Sequence, residues 1–317
     1  MTHHVIAALP IETRPYLESQ LPNGVEVRWF NGKAEALVAG KGATVGWFDI
    51  GNRDEFAQAV RNATELKWLF TKLAGVDGLP LEELAARDIV FTNCPGLAAP
   101  AVSEYVVLGM LSIAKGYREI IKAEMKHEWL TSPPGKVELM GSSALIVGYG
   151  SIGRMIEERL KAFGVAVTVV RRTPASGEHA LGPEQWRSKL GEFDWVILTA
   201  PATTETARMI GAVELAAMKK SAVLVNVARG SLVDQEALVN ALVQQDIAAA
   251  FLDVTEPEPL PADHPLWTLD NAHITMHLSG RSRTHEIPLT AKRFLENLHL
   301  YCEGKPLLYQ VDLNLGY

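Results

Sequence analysis

A strand-forming run, Ala144-Leu145-Ile146-Val147, leads directly into Gly148-Tyr149-Gly150-Ser151-Ile152-Gly153 near the middle of the chain. Beyond it Ile152, Met155, Ile156, Leu160 and Phe163 fall at helical spacing. Strand, glycine turn and helix in immediate succession point to a fold built on βαβ units. In such a unit the first glycine permits a tight turn, the second lets the backbone approach a pyrophosphate, and the third allows close helix–strand packing. Amides at the helix start then hold an anion. G-x-G-x-x-G alone also serves ordinary turns; the flanking strand and helix make this one predict a dinucleotide site.

At 317 residues the chain exceeds the usual size of one domain, so two are expected. A hydrophobic share of 48% and a charged share of 21% describe ordinary globular protein. The net charge of −7, with basic residues scattered apart from pairs such as Arg171-Arg172 and Lys219-Lys220, argues against a nucleic-acid partner. Two cysteines, Cys94 and Cys302, make neither a disulfide framework nor a conventional zinc site, so no metal is expected and a reducing cytoplasm is the simplest setting. The N-terminus lacks a basic segment and soon meets Glu12 and Arg14, as a first strand does and a signal peptide does not. No apolar run approaches the ~18 residues of a membrane helix, so no membrane partner is expected.

Short apolar runs alternate with amphipathic stretches along the whole chain. Strands are expected at Val5–Leu9, Val25–Phe30, Thr44–Phe48, Trp68–Phe70 and Ile89–Thr92, with helices around 11–21, 53–65 and 78–86. Ala98 to Gly116 reads as a long apolar helix, buried between domains or used in a subunit contact. A loop at His127–Lys136 precedes the central strand. Further strands follow at Val165–Val170, Trp195–Leu198, Ala222–Asn226, Ala248–Val254 and His273–Met276, with helices around 184–190, 212–219 and 234–245. This alternation predicts α/β architecture with doubly wound parallel sheets and a ligand crevice at the carboxyl strand ends. A helical pattern from Ile287 to Tyr301 is expected to return to the first domain, making it discontinuous: 1–97 with 287–317, around a dinucleotide-binding domain at 98–286. The alternative is a C-terminal helix packed only on the second domain.

The cofactor's identity turns on the end of the second strand after the glycine turn. A NAD site places a carboxylate there for the ribose hydroxyls, whereas an NADP site places an arginine for the 2′-phosphate. This chain reads Val169-Val170-Arg171-Arg172-Thr173, with no carboxylate before Glu178. A guanidinium grips a phosphate through two charge-assisted bonds, so NADP(H) is favoured. NAD(H) stays open, since Arg171 and Arg172 could instead be solvated strand-end charges. The candidate cofactor contacts are Gly148, Tyr149, Gly150, Ser151, Ile152, Gly153, Arg171, Arg172, Pro201, Thr206 and Asp253.

Other motifs occur in a telling order: Leu73-Ala74-Gly75-Val76-Asp77, the glycine turn, Val225-Asn226-Val227-Ala228-Arg229-Gly230, Leu252-Asp253-Val254, Glu258-Pro259-Leu260-Pro261, Thr275-Met276-His277, and a terminal Val311-Asp312 and Gly316-Tyr317. From Lys67 to Tyr317 the chain resembles the D-isomer-specific 2-hydroxyacid dehydrogenase family, near its glyoxylate/hydroxypyruvate reductase branch. The resemblance implies a Rossmann cofactor domain, a smaller flavodoxin-like substrate domain with a cleft between them, and a homodimer formed through the 98–116 helix. It also implies reduction of a small 2-oxo acid by hydride transfer, with Arg229, Glu258 and His277 catalytic.

Elementary chemistry agrees with these roles. Arg229 follows an apolar strand, where a guanidinium can clamp a carboxylate and polarise the neighbouring carbonyl; it could also cap the strand or pair with Asp234. His277 also follows a strand, and imidazoles suit proton donation near neutrality. Glu258, in a loop punctuated by Pro257, Pro259, Pro261 and Pro265, would orient the ring; Glu256 is the competing acid. By resemblance Ala74, Gly75 and Val76 present amides to the substrate carboxylate, and Asp253 helps hold the nicotinamide end. Trp47 lines the pocket or belongs to the core.

Two residues depart from the family pattern. Met276 replaces a proline before the histidine, and Thr255 replaces an aromatic after Asp253-Val254, which puts pocket shape and substrate size in question. Formate dehydrogenases of this fold differ, with glutamine at the Glu258 position. Rival functions are NAD-dependent oxidation of a D-2-hydroxy acid and a non-catalytic nucleotide-sensing protein of the same fold.

Overall fold

Five apolar runs in the first hundred residues become strands β1 (Val5–Pro10), β2 (Val25–Phe30), β3 (Val45–Trp47), β4 (Trp68–Phe70) and β5 (Val90–Thr92). All pair in parallel, in the order β2-β1-β3-β4-β5 of a flavodoxin-like sheet. The helices between them are α1 (Arg14–Leu17, inside a run of 3-10 turns), α2 (Gly32–Ala39), α3 (Arg53–Asn62) and α4 (Leu81–Ala86). Sequence periodicity misses α2, which buries only Ala36 and Ala39 and so shows no apolar stripe. The computed structural model describes residues 4–76, 78–173, 180–281 and 286–313. Asp77, Glu178, Gly316 and Tyr317 lie outside the described residues. The chain divides into two compact units, Met1–Leu97 with Ser282–Tyr317, and Ala98–Arg281.

In the first unit, alternating strand side chains feed cores on both sheet faces. One gathers Phe30, Phe48, Phe56, Leu69 and Phe91; the other gathers Leu9, Trp47, Trp68 and Phe70. The C-terminal helix Glu286–Cys302 closes the second core with Ala291, Phe294, Leu295 and Leu298, at the three- and four-residue spacing of one helix face. Phe294 stacks on Trp68 at 5.1 Å. The helix therefore packs on the first sheet. Trp47 is core: it is 2% exposed and its ring meets Phe70 and Phe294 at 4.6 and 5.5 Å. This burial follows from β3 running through the middle of the sheet, covered on both faces.

The second unit starts with α5 (Ala99–Ala114) and α6 (Tyr117–Met125). A seven-stranded parallel sheet follows: β6 (Ser143–Val147), β7 (Ala166–Val170), β8 (Ala180–Leu181), β9 (Trp195–Leu198), β10 (Val223–Asn226), β11 (Ala249–Leu252) and β12 (Ala272–Ile274). Helices α7 (Ser151–Ala162), α8 (Ala212–Ala217) and α9 (Gln235–Gln244) connect them. The order β12-β11-β10-β9-β6-β7-β8 reverses direction at β6, so the switch point lies between β6 and β9. Helix α5 is buried against its own sheet through Val102, Val106 and Met110, because Gly109 lets Phe251 approach; a Cβ there would stand 2.6 Å from that ring. Its burial thus requires neither a domain interface nor a subunit contact. Among the described residues no helix is long and apolar enough to cross a membrane.

Candidate active site

The glycine turn sits at the switch point. Gly148 has φ +101°, and a Cβ on it would lie 2.5 Å from the Ala200 amide nitrogen, so only glycine fits. Thr199 Oγ1 donates to the Gly148 carbonyl at 2.6 Å, and a Cβ on Gly153 would meet that same carbonyl oxygen at 2.5 Å. Packing therefore demands the first and third glycines. Gly150, which caps α7, is different: a Cβ there would have no protein atom within 4 Å. The protein itself does not need that glycine, and the open space beside the first amides of α7 fits a pyrophosphate. Ser151 stands exposed at the helix start, and Ile152 packs on the sheet.

Charge gathers beside this turn. Tyr149 carries the Arg154 guanidinium 4.6 Å and the Arg171 guanidinium 6.0 Å from its ring centroid, and its hydroxyl donates to Glu157. Arg171, directly after β7, donates its amide to Leu181 in the β8 edge strand, and Arg172 follows. On the other side of the switch point Thr206 Oγ1 donates to the Pro201 carbonyl at 2.7 Å, closing the loop after β9.

The candidate catalytic residues follow three neighbouring strands, β10, β11 and β12, whose registers align Asn226 with Leu252 and Leu252 with Ile274. Asn226, 1% exposed, shapes the turn after β10: its Nδ2 donates to the Arg229 carbonyl at 2.9 Å and its Oδ1 accepts from the Ala228 amide at 3.1 Å. Arg229 Nη1 donates to the Ala228 carbonyl at 2.7 Å. The next residue, Gly230, lies so close to the Thr255 carbonyl that a Cβ would come within 2.0 Å, which brings this turn against the loop after β11. In that loop the Thr255 amide donates to Glu258 Oε1 at 3.2 Å, and the Thr255 hydroxyl donates to the Pro257 carbonyl at 3.0 Å. Threonine in place of an aromatic thus ties the Glu258 loop together. Glu258 Oε2 stands 2.8 Å from His277 Nδ1, while the Glu256 backbone bonds Gln235; the acid on the histidine is Glu258.

The strand expected at His273–Met276 ends at Ile274. Met276 and His277 adopt φ +55° and +56°, a left-handed conformation that costs roughly 1–2 kcal/mol per residue. Proline, locked near −65°, does not fit this backbone, so methionine at 276 accompanies a different local path. Asp253 holds that path. It is 2% exposed, and its carboxylate accepts from Thr275 Oγ1 at 2.7 Å, the Leu278 amide at 2.9 Å, the Ser279 amide at 3.2 Å and the Ser279 hydroxyl. Its carbonyl accepts the His277 amide at 2.5 Å. The residue assigned by resemblance to the nicotinamide end commits both carboxylate oxygens to the segment bearing His277. Thr275 and Ser279 carried no sequence signal for this role, because their partner lies more than twenty residues earlier, just beyond another strand.

In the first unit, Leu73 to Val76 follow β4. Asn93 Nδ2 donates to the Ala74 carbonyl at 2.7 Å, and the Cys94 amide donates to the Leu73 carbonyl at 3.1 Å. Among the described residues, the amides of Ala74, Gly75 and Val76 meet no acceptor. Three consecutive amides in that state suit an anion. Burial pushes the Cys94 thiol up to about 12, leaving it inert. Among the described residues no cluster of three or more His, Cys, Asp or Glu could hold a metal.

The family described as "D-isomer specific 2-hydroxyacid dehydrogenase, NAD binding domain" matches residues 107–279. A glyoxylate reductase of Thermococcus litoralis is 35% identical over 259 residues, covering 78% of this chain and 77% of that one. The structure of a D-isomer specific 2-hydroxyacid dehydrogenase family protein from Aeromonas salmonicida matches with a TM-score of 0.86 at 28% identity, over 98% of this chain and 99% of the other. That of an NADPH-dependent glyoxylate/hydroxypyruvate reductase from Sinorhizobium meliloti, in complex with citrate, gives 0.80 at 25% identity, over 98% of both chains. Likeness of this extent is decisive: the chain belongs to the D-isomer specific 2-hydroxyacid dehydrogenase family, in its glyoxylate/hydroxypyruvate reductase branch, and is an NAD(P)-dependent oxidoreductase.

Proposed function

We propose that this enzyme reduces a small 2-oxo acid of the glyoxylate or hydroxypyruvate kind to the D-2-hydroxy acid, preferring NADPH to NADH. The 2.8 Å contact between His277 Nδ1 and Glu258 carries the reading, because it leaves Nε2 of an oriented ring for a substrate oxygen. A bound nicotinamide cofactor supplies the hydride that the carbonyl carbon receives. Arg229 holds the substrate carboxylate and polarises the carbonyl. His277 delivers its Nε2 proton to the oxygen as charge develops there, and Glu258 holds the ring in orientation. In the first unit the Ala74–Val76 amides receive a carboxylate by the same chemistry of donors aimed at an anion. The Thermococcus and Sinorhizobium relatives, named for glyoxylate and hydroxypyruvate, support this substrate class.

Arg171 and Arg172 favour the phosphorylated cofactor, since no carboxylate stands at the end of β7 to meet bare ribose hydroxyls. Replacing both with alanine should raise the NADPH Kd roughly 10- to 100-fold per lost charge-assisted bond and leave the NADH Kd within about twofold. Equal losses for both cofactors, read by fluorescence titration, would remove these arginines from cofactor selection. The proposal includes a homodimer, supported by the exposed apolar side chains of Leu108, Tyr117, Met125 and Trp129 along α5, α6 and the segment beyond. A monomeric mass by light scattering would contradict it.

A further inference from the structure

A carboxylate that takes no part in this scheme shapes the loop that serves it. We infer that Asp49 is the positioning residue of the Ala74–Gly75–Val76 amide receptor; the inference rests on the reading of that loop as a binder of the substrate carboxylate. Asp49 lies two residues beyond β3, and the pairing of Trp47 with Phe70 brings it beside the chain leaving β4. Its Oδ1 accepts from Thr71 Oγ1 at 2.5 Å, and its Oδ2 accepts from the Lys72 amide at 2.6 Å and Trp47 Nε1 at 2.7 Å. Burial pushes the Asp49 carboxyl up, and these three bonds oppose that effect.

The Lys72 amide marks where the chain leaves the sheet. The Thr71 amide still donates to Thr92 across the sheet, whereas the next amide turns to the Asp49 carboxylate. Thr71 Oγ1, while donating to Asp49, accepts the Leu73 amide at 3.2 Å. Asn93 and Cys94 fix the Leu73 and Ala74 carbonyls from the other side. Two successive amides are thereby consumed inside the protein, and the three that follow meet no acceptor among the described residues. A carboxylate suits this task because two oxygens accept three donors through charge-assisted bonds, which hold backbone more firmly than neutral ones.

The test is steady-state kinetics on the full chain with NADPH and glyoxylate or hydroxypyruvate, whichever the wild type reduces faster. Asp49→Asn keeps the size but turns an amino group toward one set of donors; it should raise the keto-acid KM about tenfold, with kcat within about threefold and the NADPH Kd unchanged. Thr71→Val, which keeps Asp49 but removes the hydroxyl linking it to Leu73, should raise KM in the same direction, and Thr71→Ser should restore it. The inhibition constant of oxamate, a carboxylate that cannot be reduced, should rise in parallel. Unchanged KM and oxamate binding in both Asp49→Asn and Thr71→Val would overturn the positioning role. So would a loss of kcat, NADPH binding and Tm together, which marks a merely structural residue. Should Asp49→Asn not fold, the Thr71→Val and Thr71→Ser pair decides alone. A wild type that reduces no 2-oxo acid refutes the underlying reading before any variant is compared.

Discussion

Replacing His277 with alanine should lower kcat by about 10²–10⁴-fold, the usual contribution of a positioned general acid, while the NADPH Kd stays within about twofold. The size of the effect follows from what the ring alone provides. With His277 Nδ1 engaged by Glu258, Nε2 is the atom left for the proposed proton donation. The segment would keep its path after the change, because Asp253 holds Thr275, Leu278 and Ser279 rather than the ring. Rapid-mixing measurements of NADPH oxidation in a single turnover separate the chemical step from product release. Near-normal turnover would remove His277 from the mechanism.

Arg229→Ala should reduce kcat/KM by roughly 10²–10⁴-fold, since a guanidinium gripping a carboxylate makes two charge-assisted bonds of about 1.5–3 kcal/mol each. The turn itself should survive, because Asn226 bonds the backbone at 228 and 229 and Gly230 keeps its contact with Thr255. Arg229→Lys should recover only a minor part, as an ammonium has no planar fork. Steady-state kinetics with saturating NADPH reads both variants. An Arg229→Ala enzyme with unaltered KM and kcat would show that the substrate carboxylate is held elsewhere.

What was legible in the sequence and what was not divides along the range of the interactions. Gly148 and Gly153 could be read because their requirements are local: a left-handed φ and a close contact within one strand–turn–helix unit. The strands of both sheets except β8 were legible for the same reason, as apolar runs bounded by turns; β8, only Ala180 and Leu181, is too short to show such a run. Helix α2 was not, since two buried alanines leave no stripe. The end of the last strand was misplaced by two residues because nothing local in Thr275-Met276-His277 announces positive φ; Asp253, just beyond the neighbouring strand β11, imposes it. Arg229, Glu258 and His277 were identified through their order and the family they resemble, whereas the link from Thr255 to Glu258 and the anchoring of Lys72 by Asp49 needed three dimensions. Trp47 was ambiguous because an apolar residue at a strand end reads alike whether it faces core or ligand; a C-terminal helix nearly 250 residues away decides that it is core.

The most direct measurement is NADPH oxidation followed at saturating cofactor with glyoxylate, hydroxypyruvate and pyruvate, repeated with NADH and completed by chiral analysis of the product. Turnover with at least one of the first two acids, faster with NADPH, and D-glycerate from hydroxypyruvate are the results expected. Saturable NADPH binding without oxidation by any of the three acids, with either cofactor, would contradict the proposed 2-oxo acid reduction.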